Sequence, residues 1–194
     1  MGLAVLIIGL GVFFASHIFV AAREKRAALI RRLGQSGYRA LFSVVSLAGL
    51  ALIVWGYAEY RAEGMIAVWW PPAFMRHVTV GLMLISIVVL ASFRIPSHIK
   101  TWIKHPMLAS IKIWAFAHLL SNGDLGSILL FGSFLAWAVY ARIAVKRRGD
   151  LGPQTAPATW RNDVIVVVFG VVLYLLLGFY FHPYVIGVNV FGHA

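Results

Sequence analysis

Past Asp163 the chain runs eighteen residues without a charge, in DVIVVVFGVVLYLLLGFYF (163–181). A segment that long and that apolar suits hydrocarbon, where no water can satisfy backbone N–H and C=O groups, so it must satisfy them within itself as a helix. About 20 helical residues cross a bilayer. Extended to residue 187, this run is the last of six, the others covering residues 2–22, 40–58, 74–93, 107–121 and 125–144. The composition agrees: 61% hydrophobic and 12% charged, with a mean hydropathy of +0.87, is a balance soluble domains rarely show. The pattern predicts an all-α, polytopic transmembrane helix bundle of about six spans (five to six) with no sheet. The first run has no positive flank before it and REKR (23–26) directly after it, which fits a retained helix rather than a cleaved signal peptide. No tandem repeat is evident, and LGPQTAPATWRND (151–163) reads as a proline-interrupted loop, so residues 1–194 are expected to form one integral membrane domain.

Seventeen basic residues against six acidic ones give a net charge of +11. That excess would point to nucleic acid only if it collected on one face with interleaved aromatics. Here it lies between apolar runs. REKRAALIRRLGQSGYR (23–39) holds six of the basic residues and KRR (146–148) three more, and basic loops beside spans mark a cytoplasmic surface. With the 23–39 connection inside, Arg94, Lys100, Lys104, Lys146, Arg147, Arg148 and Arg161 also fall inside, and only Arg61 and Arg76 fall outside. Both termini are then expected outside. The lipid bilayer is the predicted partner and nucleic acid is excluded.

There is no cysteine, which excludes disulfides, iron–sulfur clusters and thiolate zinc sites. Any metal must be held by the seven histidines, by carboxylates or by a prosthetic group. In HPMLASIKIWAFAHLLSNGD (105–124) two histidines stand thirteen residues apart. On a helix that leaves them about 140° apart in azimuth and about 20 Å apart in height, so they cannot share a metal. The fourth run is short and carries Lys112. Either Lys112 snorkels, or residues 105–112 lie at the inner interface and His118 sits about 9 Å below it. His17, about five residues before the end of the first run, would then lie at a similar depth.

Two imidazoles at matched depth on different helices suit the axial ligation of a haem. Helical spacing puts Leu10, Phe13, Phe14 and Ala21 on the His17 face, and Ile111, Trp114, Ala115 and Asn122 on the His118 face. Haem propionates would face Arg23, Arg26, Arg39 and Lys112. The plain alternative for each histidine is an interhelical hydrogen bond.

The remaining candidates read more simply. His105 precedes Pro106 and suits a helix start, where it would cap the helix or bind an anion. His182 in FYFHPY groups with Tyr180 and Tyr184 in an outer aromatic belt, while His77 and His98 flank the third run and His193 sits in the terminal GHA. In SNGD (121–124), Asn122 and Gly123 suit a turn and Asp124 the cap of the next helix. If that turn lies inside the membrane it must line a cavity, which makes Asp124 a candidate proton-handling group.

The block HPMLASIKIWAFAHLLSNGDLGSILLFGSFLAWAVYARIAVKRR, with GYRALFSVVSLAGL (37–50) and the early FFASH, resembles the NnrU family of bacterial membrane proteins over most of residues 1–150. The resemblance implies a multi-pass protein of the bacterial inner membrane, its termini periplasmic, linked to nitric oxide and nitrite metabolism in denitrification. A relative of that family, 15-cis-zeta-carotene isomerase, is a membrane enzyme whose haem b is held by two histidines. By motif those ligands fall on His17 and His118, which implies haem b, iron included, as cofactor and an apolar small-molecule substrate. Leu119 and Leu120 depart from the relative's pattern, as does the shorter N-terminal region.

Three functions follow. The first is a haem-dependent isomerase or oxidoreductase with His17 and His118 as ligands and Arg39 and Lys112 beside the cofactor. The second is a non-catalytic assembly factor for denitrification enzymes. The third is an isoprenylcysteine methyltransferase-like enzyme, weakened by Lys104 where that family has arginine. Hydrolytic catalysis is disfavoured, because the six carboxylates are scattered and no Ser-His-Asp order can be read.

Overall fold

Residues 1–150, 152 and 157–192 are described by a computed structural model of the chain. Among them the helices are α1 (Gly2–Phe19), α2 (Arg23–Ala62), α3 (Met75–Ala91), α4 (His98–Ile103), α5 (Pro106–Ser121), α6 (Leu125–Arg147) and α7 (Trp160–Leu176), which runs on into a π-helical stretch, Leu177–Ile186. No strand occurs among the described residues, only an isolated bridge between Ala67 and Asp124. The all-α expectation holds. All six apolar runs are helical, and four helices (α1, α2, α6 and the continuous Trp160–Ile186) are long and apolar enough to cross a membrane. α3 and α5 are apolar but shorter, at 17 and 16 residues. Of the proposed 151–163 loop, residues 151 and 153–156 lie outside the described residues, as does His193, while residues 160–163 already belong to α7 rather than to a loop.

The basic segment 23–39 differs from the expected loop, because it forms the start of α2. REKRAALIRRL is rich in good helix formers, and only Gly34, at φ 72 and ψ 166, breaks the helix. A left-handed φ of that kind favours glycine, so the break sits where the sequence permits it.

The residues gather into two compact units. The first comprises Met1–Trp70 with Asn122–Ala144 and the second Pro71–Ser121 with the chain from Val145 onward.

In the first unit α1 and α2 run antiparallel with their backbones touching at glycines. A Cβ at Gly9 would lie 2.6 Å from the Ile53 nitrogen and one at Gly49 would lie 2.7 Å from the Phe13 nitrogen. Cβ atoms at Gly2 and Gly56 would collide with the backbones of Tyr60 and Leu6. The glycines repeat every seven residues in each helix, so one flat stripe meets another. Lipid is as apolar as leucine and does not drive helices together, so this close dispersion contact is what holds the pair. Leu6, Leu10, Phe14 and Ile53 form the core above the stripe, covered by Leu129, Leu130, Phe134 and Trp137 of α6. At the start of α1, Glu63 accepts from the Met1 ammonium and the Gly2 N–H, which hold its carboxyl below the usual range.

The second unit is tied by hydroxyls. Thr79 donates to the Ala117 carbonyl at 2.8 Å and Ser86 to the Ser110 carbonyl at 2.9 Å, joining α3 to α5. Tyr174 donates to the Val80 carbonyl at 3.1 Å, joining α7 to α3, and Gly170 lets α7 approach Val88. The start of α7 is latched to the start of α4 and the chain just before it. His98 Nδ1 and Asp163 Oδ2 lie 2.5 Å apart, and the Asn162 amide donates to the Pro96 carbonyl at 2.7 Å.

Gly56→Ala is expected to destabilise the α1–α2 pair by about 1–3 kcal/mol, as overpacking does. Gly11→Ala, whose Cβ meets nothing within 4 Å, is expected to lose no stability. Thermal unfolding of both variants in the same detergent measures the difference.

Candidate functional site

His17 lies near the end of α1, in the first unit. Its Nδ1 is 2.8 Å from the Phe13 carbonyl oxygen one turn earlier. Only an N–H can face a carbonyl, so the bond puts the hydrogen on Nδ1 and the lone pair on Nε2. The Ser16 hydroxyl braces the same corner, donating to the Phe13 carbonyl at 2.7 Å and lying 3.1 Å from Ser46 Oγ of α2. The imidazole stacks on Phe13 (centroids 4.1 Å apart, planes 23° apart) and meets Phe42 at 5.3 Å and Trp137 edge-on at 5.5 Å. It is the polar centre of an aromatic cage built by α1, α2 and α6.

Beyond Phe42 the cage continues to Tyr38, whose ring centroid is 6.5 Å from that of Phe42. Tyr38 is 6% exposed. The Arg26 guanidinium carbon lies over its ring at 5.5 Å. Twelve residues of straight helix would hold Arg26 and Tyr38 about 18 Å apart, so the break at Gly34 is what folds one onto the other. The Tyr38 hydroxyl and Arg26 Nε are both buried without a hydrogen-bond partner. Arg39, the next residue, points outward and is exposed, because neighbours on a helix diverge by 100°. The sequence reading placed Arg26 in the basic rim and passed over Tyr38. The spacing of Tyr38 and Phe42, four residues apart on one face, was the available signal.

His118 lies on α5, in the second unit. Its Nδ1 donates to the Trp114 carbonyl at 2.9 Å, the bond His17 makes on its own helix, and again the lone pair falls on Nε2. His118 shares its unit with a residue the sequence had assigned to an outer aromatic belt. His182 lies 6.5 Å away by ring centroid with planes 23° apart, and its own Nδ1 donates to the Leu177 carbonyl at 2.9 Å. Tyr180 and Tyr184 are exposed, as a belt requires, but His182 faces His118. Pro183, inside the π-helical stretch, explains the difference, since it lacks an N–H and its ring clashes with an α-helical carbonyl. The wider π turn lets the His182 side chain satisfy the Leu177 carbonyl five residues back.

His105 Nε2 donates to the Asp150 carbonyl at 3.1 Å, tying the start of α5 to the chain after α6. Lys112 is half-buried on α5, and Asn122 is half-buried in the turn. Asp124 Oδ1 accepts from the Ser127 N–H at 2.9 Å, the helix cap expected from SNGD, while the Gly123 carbonyl accepts from Val68 and Trp69. Arg76 and His77 line a recess of about 500 Å³ with Ser121 and Phe191, and the Arg76 guanidinium holds the Asn189 and Gly192 carbonyls. Among the described residues no three histidine or carboxylate side chains gather into a metal cage.

The family described as NnrU protein matches this chain over residues 5–190. The chain belongs to the NnrU family. The match takes in α7 and the π-helical stretch, beyond the 1–150 region that carried the motif resemblance. No curated protein and no solved structure matches the chain.

The Nδ1 bonds of His17 and His118, the flat aromatic surfaces beside His17 and the buried donors of Tyr38 and Arg26 are features that a haem would use. The cap at Asp124 is separable from them. Asp124→Ala is expected to lose about 1 kcal/mol of stability and Asp124→Asn most of that less, as N-caps do, measured by thermal unfolding.

Proposed function

We propose that this NnrU-family membrane protein binds haem b, with His17 and His118 as axial ligands. The observation that carries the reading is the shared hydrogen bond from Nδ1 to the carbonyl four residues earlier, at 2.8 Å in one ring and 2.9 Å in the other. A ligand histidine needs this outer bond, because it fixes the tautomer, orients the ring and raises the basicity of Nε2. Phe13, Phe42 and Trp137 supply apolar surface to cover a flat macrocycle on the His17 side, and Trp114 does so beside His118.

When bound, the haem would supply a one-electron redox centre or an electrophilic iron, suited to oxidoreduction or to isomerisation of an apolar substrate entering from the bilayer. The resemblance links that chemistry to nitric oxide and nitrite metabolism in the bacterial inner membrane. The chain's own residues hold and orient the ligands, exclude water through the aromatic cage and place basic groups at the rim.

Purified protein is expected to show a Soret band that shifts with dithionite. His17→Ala and His118→Ala are each expected to abolish bis-histidine ligation, whereas His105→Ala leaves the spectrum unchanged and His182→Ala keeps the band. Loss of the band in His182→Ala with retention in His17→Ala would make His182 the second ligand. A colourless protein whose histidine variants still support denitrification would favour the assembly-factor reading instead.

A further inference from the structure

We infer that Arg26 and Tyr38 form a carboxylate-binding pair that receives a propionate of the bound haem; the inference rests on the haem reading. A tyrosine hydroxyl and an arginine Nε–H are strong donors, and neither is normally left buried and unpaired. Here both are, within one unit, with the Arg26 guanidinium carbon 5.5 Å from the centroid of the Tyr38 ring. Two orphaned donors on neighbouring side chains fit an acceptor with more than one oxygen and a negative charge, because the guanidinium brings a permanent positive charge and carboxylates accept in pairs.

The position names the carboxylate's carrier. Tyr38 and His17 are both neighbours of the Phe42 ring, so the donors lie one aromatic ring from the proposed axial ligand. An amphiphile with an apolar plate against Phe42 and an anionic edge at Arg26 fits that sequence of surfaces. The break at Gly34 supports the same assignment. A Cβ at Gly34 would meet nothing within 4 Å, so close packing does not call for glycine there; its left-handed φ instead returns Arg26 to the Tyr38 ring.

The experiment titrates the full-length, haem-free protein in detergent with haem b and, separately, with haem b dimethyl ester, which has the same plate and iron but no carboxylates. Tyr38→Phe and Arg26→Gln are each expected to weaken haem b binding by about tenfold, as loss of one charge-assisted hydrogen bond does, and to leave ester binding within about twofold. Tyr38→Phe keeps the ring and removes a hydroxyl without a partner, so its haem-free melting temperature is expected not to fall. A lower one would mean the hydroxyl is already paired, which overturns the inference. Equal weakening of haem b and ester, or no weakening of either, overturns it while leaving the haem reading intact. Anionic phospholipid that co-purifies with the wild type and is lost from both variants, with haem affinity unchanged, would assign the pair to a lipid headgroup and overturn it too. If the wild type binds neither porphyrin, the haem reading falls and the inference falls with it.

Discussion

Helices surrounded by lipid gain nothing from the hydrophobic effect by touching one another, so an α-helical membrane protein depends on contacts closer than lipid can make. In the first unit that contact is the meeting of Gly2 and Gly9 on α1 with Gly49 and Gly56 on α2, backbone against backbone. Everything placed near His17 follows from it. With the two helices at that separation and fixed in rotation, Ser16 reaches Ser46, the His17 ring reaches Phe42, and Phe14 joins Ile53 in the core. Wider spacing would dissolve the cage before any side chain changed. The second unit solves the same problem with polar groups, through Thr79, Ser86 and Tyr174 bonding to carbonyls of facing helices.

Hydrogen bonding inside a helix also sets the chemistry of the histidines. In hydrocarbon a ring N–H needs an acceptor, and the carbonyl one turn back is within reach of Nδ1. His17 and His118 both take it, and His182 takes the carbonyl five residues back because Pro183 has widened the turn. The result is three rings oriented by their own helices, each with its lone pair on Nε2. Orientation of that kind is a property of the local backbone, which is why it recurs in both units.

Much of the fold was legible from pattern. Apolar length placed six helical stretches, four of them long enough to cross a membrane, and SNGD identified the cap that Asp124 makes, because turn and cap chemistry is local. The loop assigned to residues 23–39 was a misreading of charge. Basic residues mark the side of the membrane without excluding a helix, and AALIRRL has the propensity to form one. The site was less legible. His17 and His118 stand out as ionisable groups in apolar runs, whereas Tyr38 looks like any aromatic on a helix face until Arg26 is seen above it. His182 looked like a belt residue because its neighbours Tyr180 and Tyr184 are.

The sequence by itself determined the class of protein, the helical runs, the absence of thiol chemistry and the histidines worth considering, since each rests on composition or on spacing along one helix. Tertiary structure decided which side chains share a surface. It brought His182 to His118, turned Arg39 outward while Tyr38 turned inward, and folded Arg26 back over the Tyr38 ring. Those outcomes depend on a φ of 72° at Gly34, on a π turn around Pro183 and on the rotation at which two glycine stripes lock, none of which hydropathy encodes.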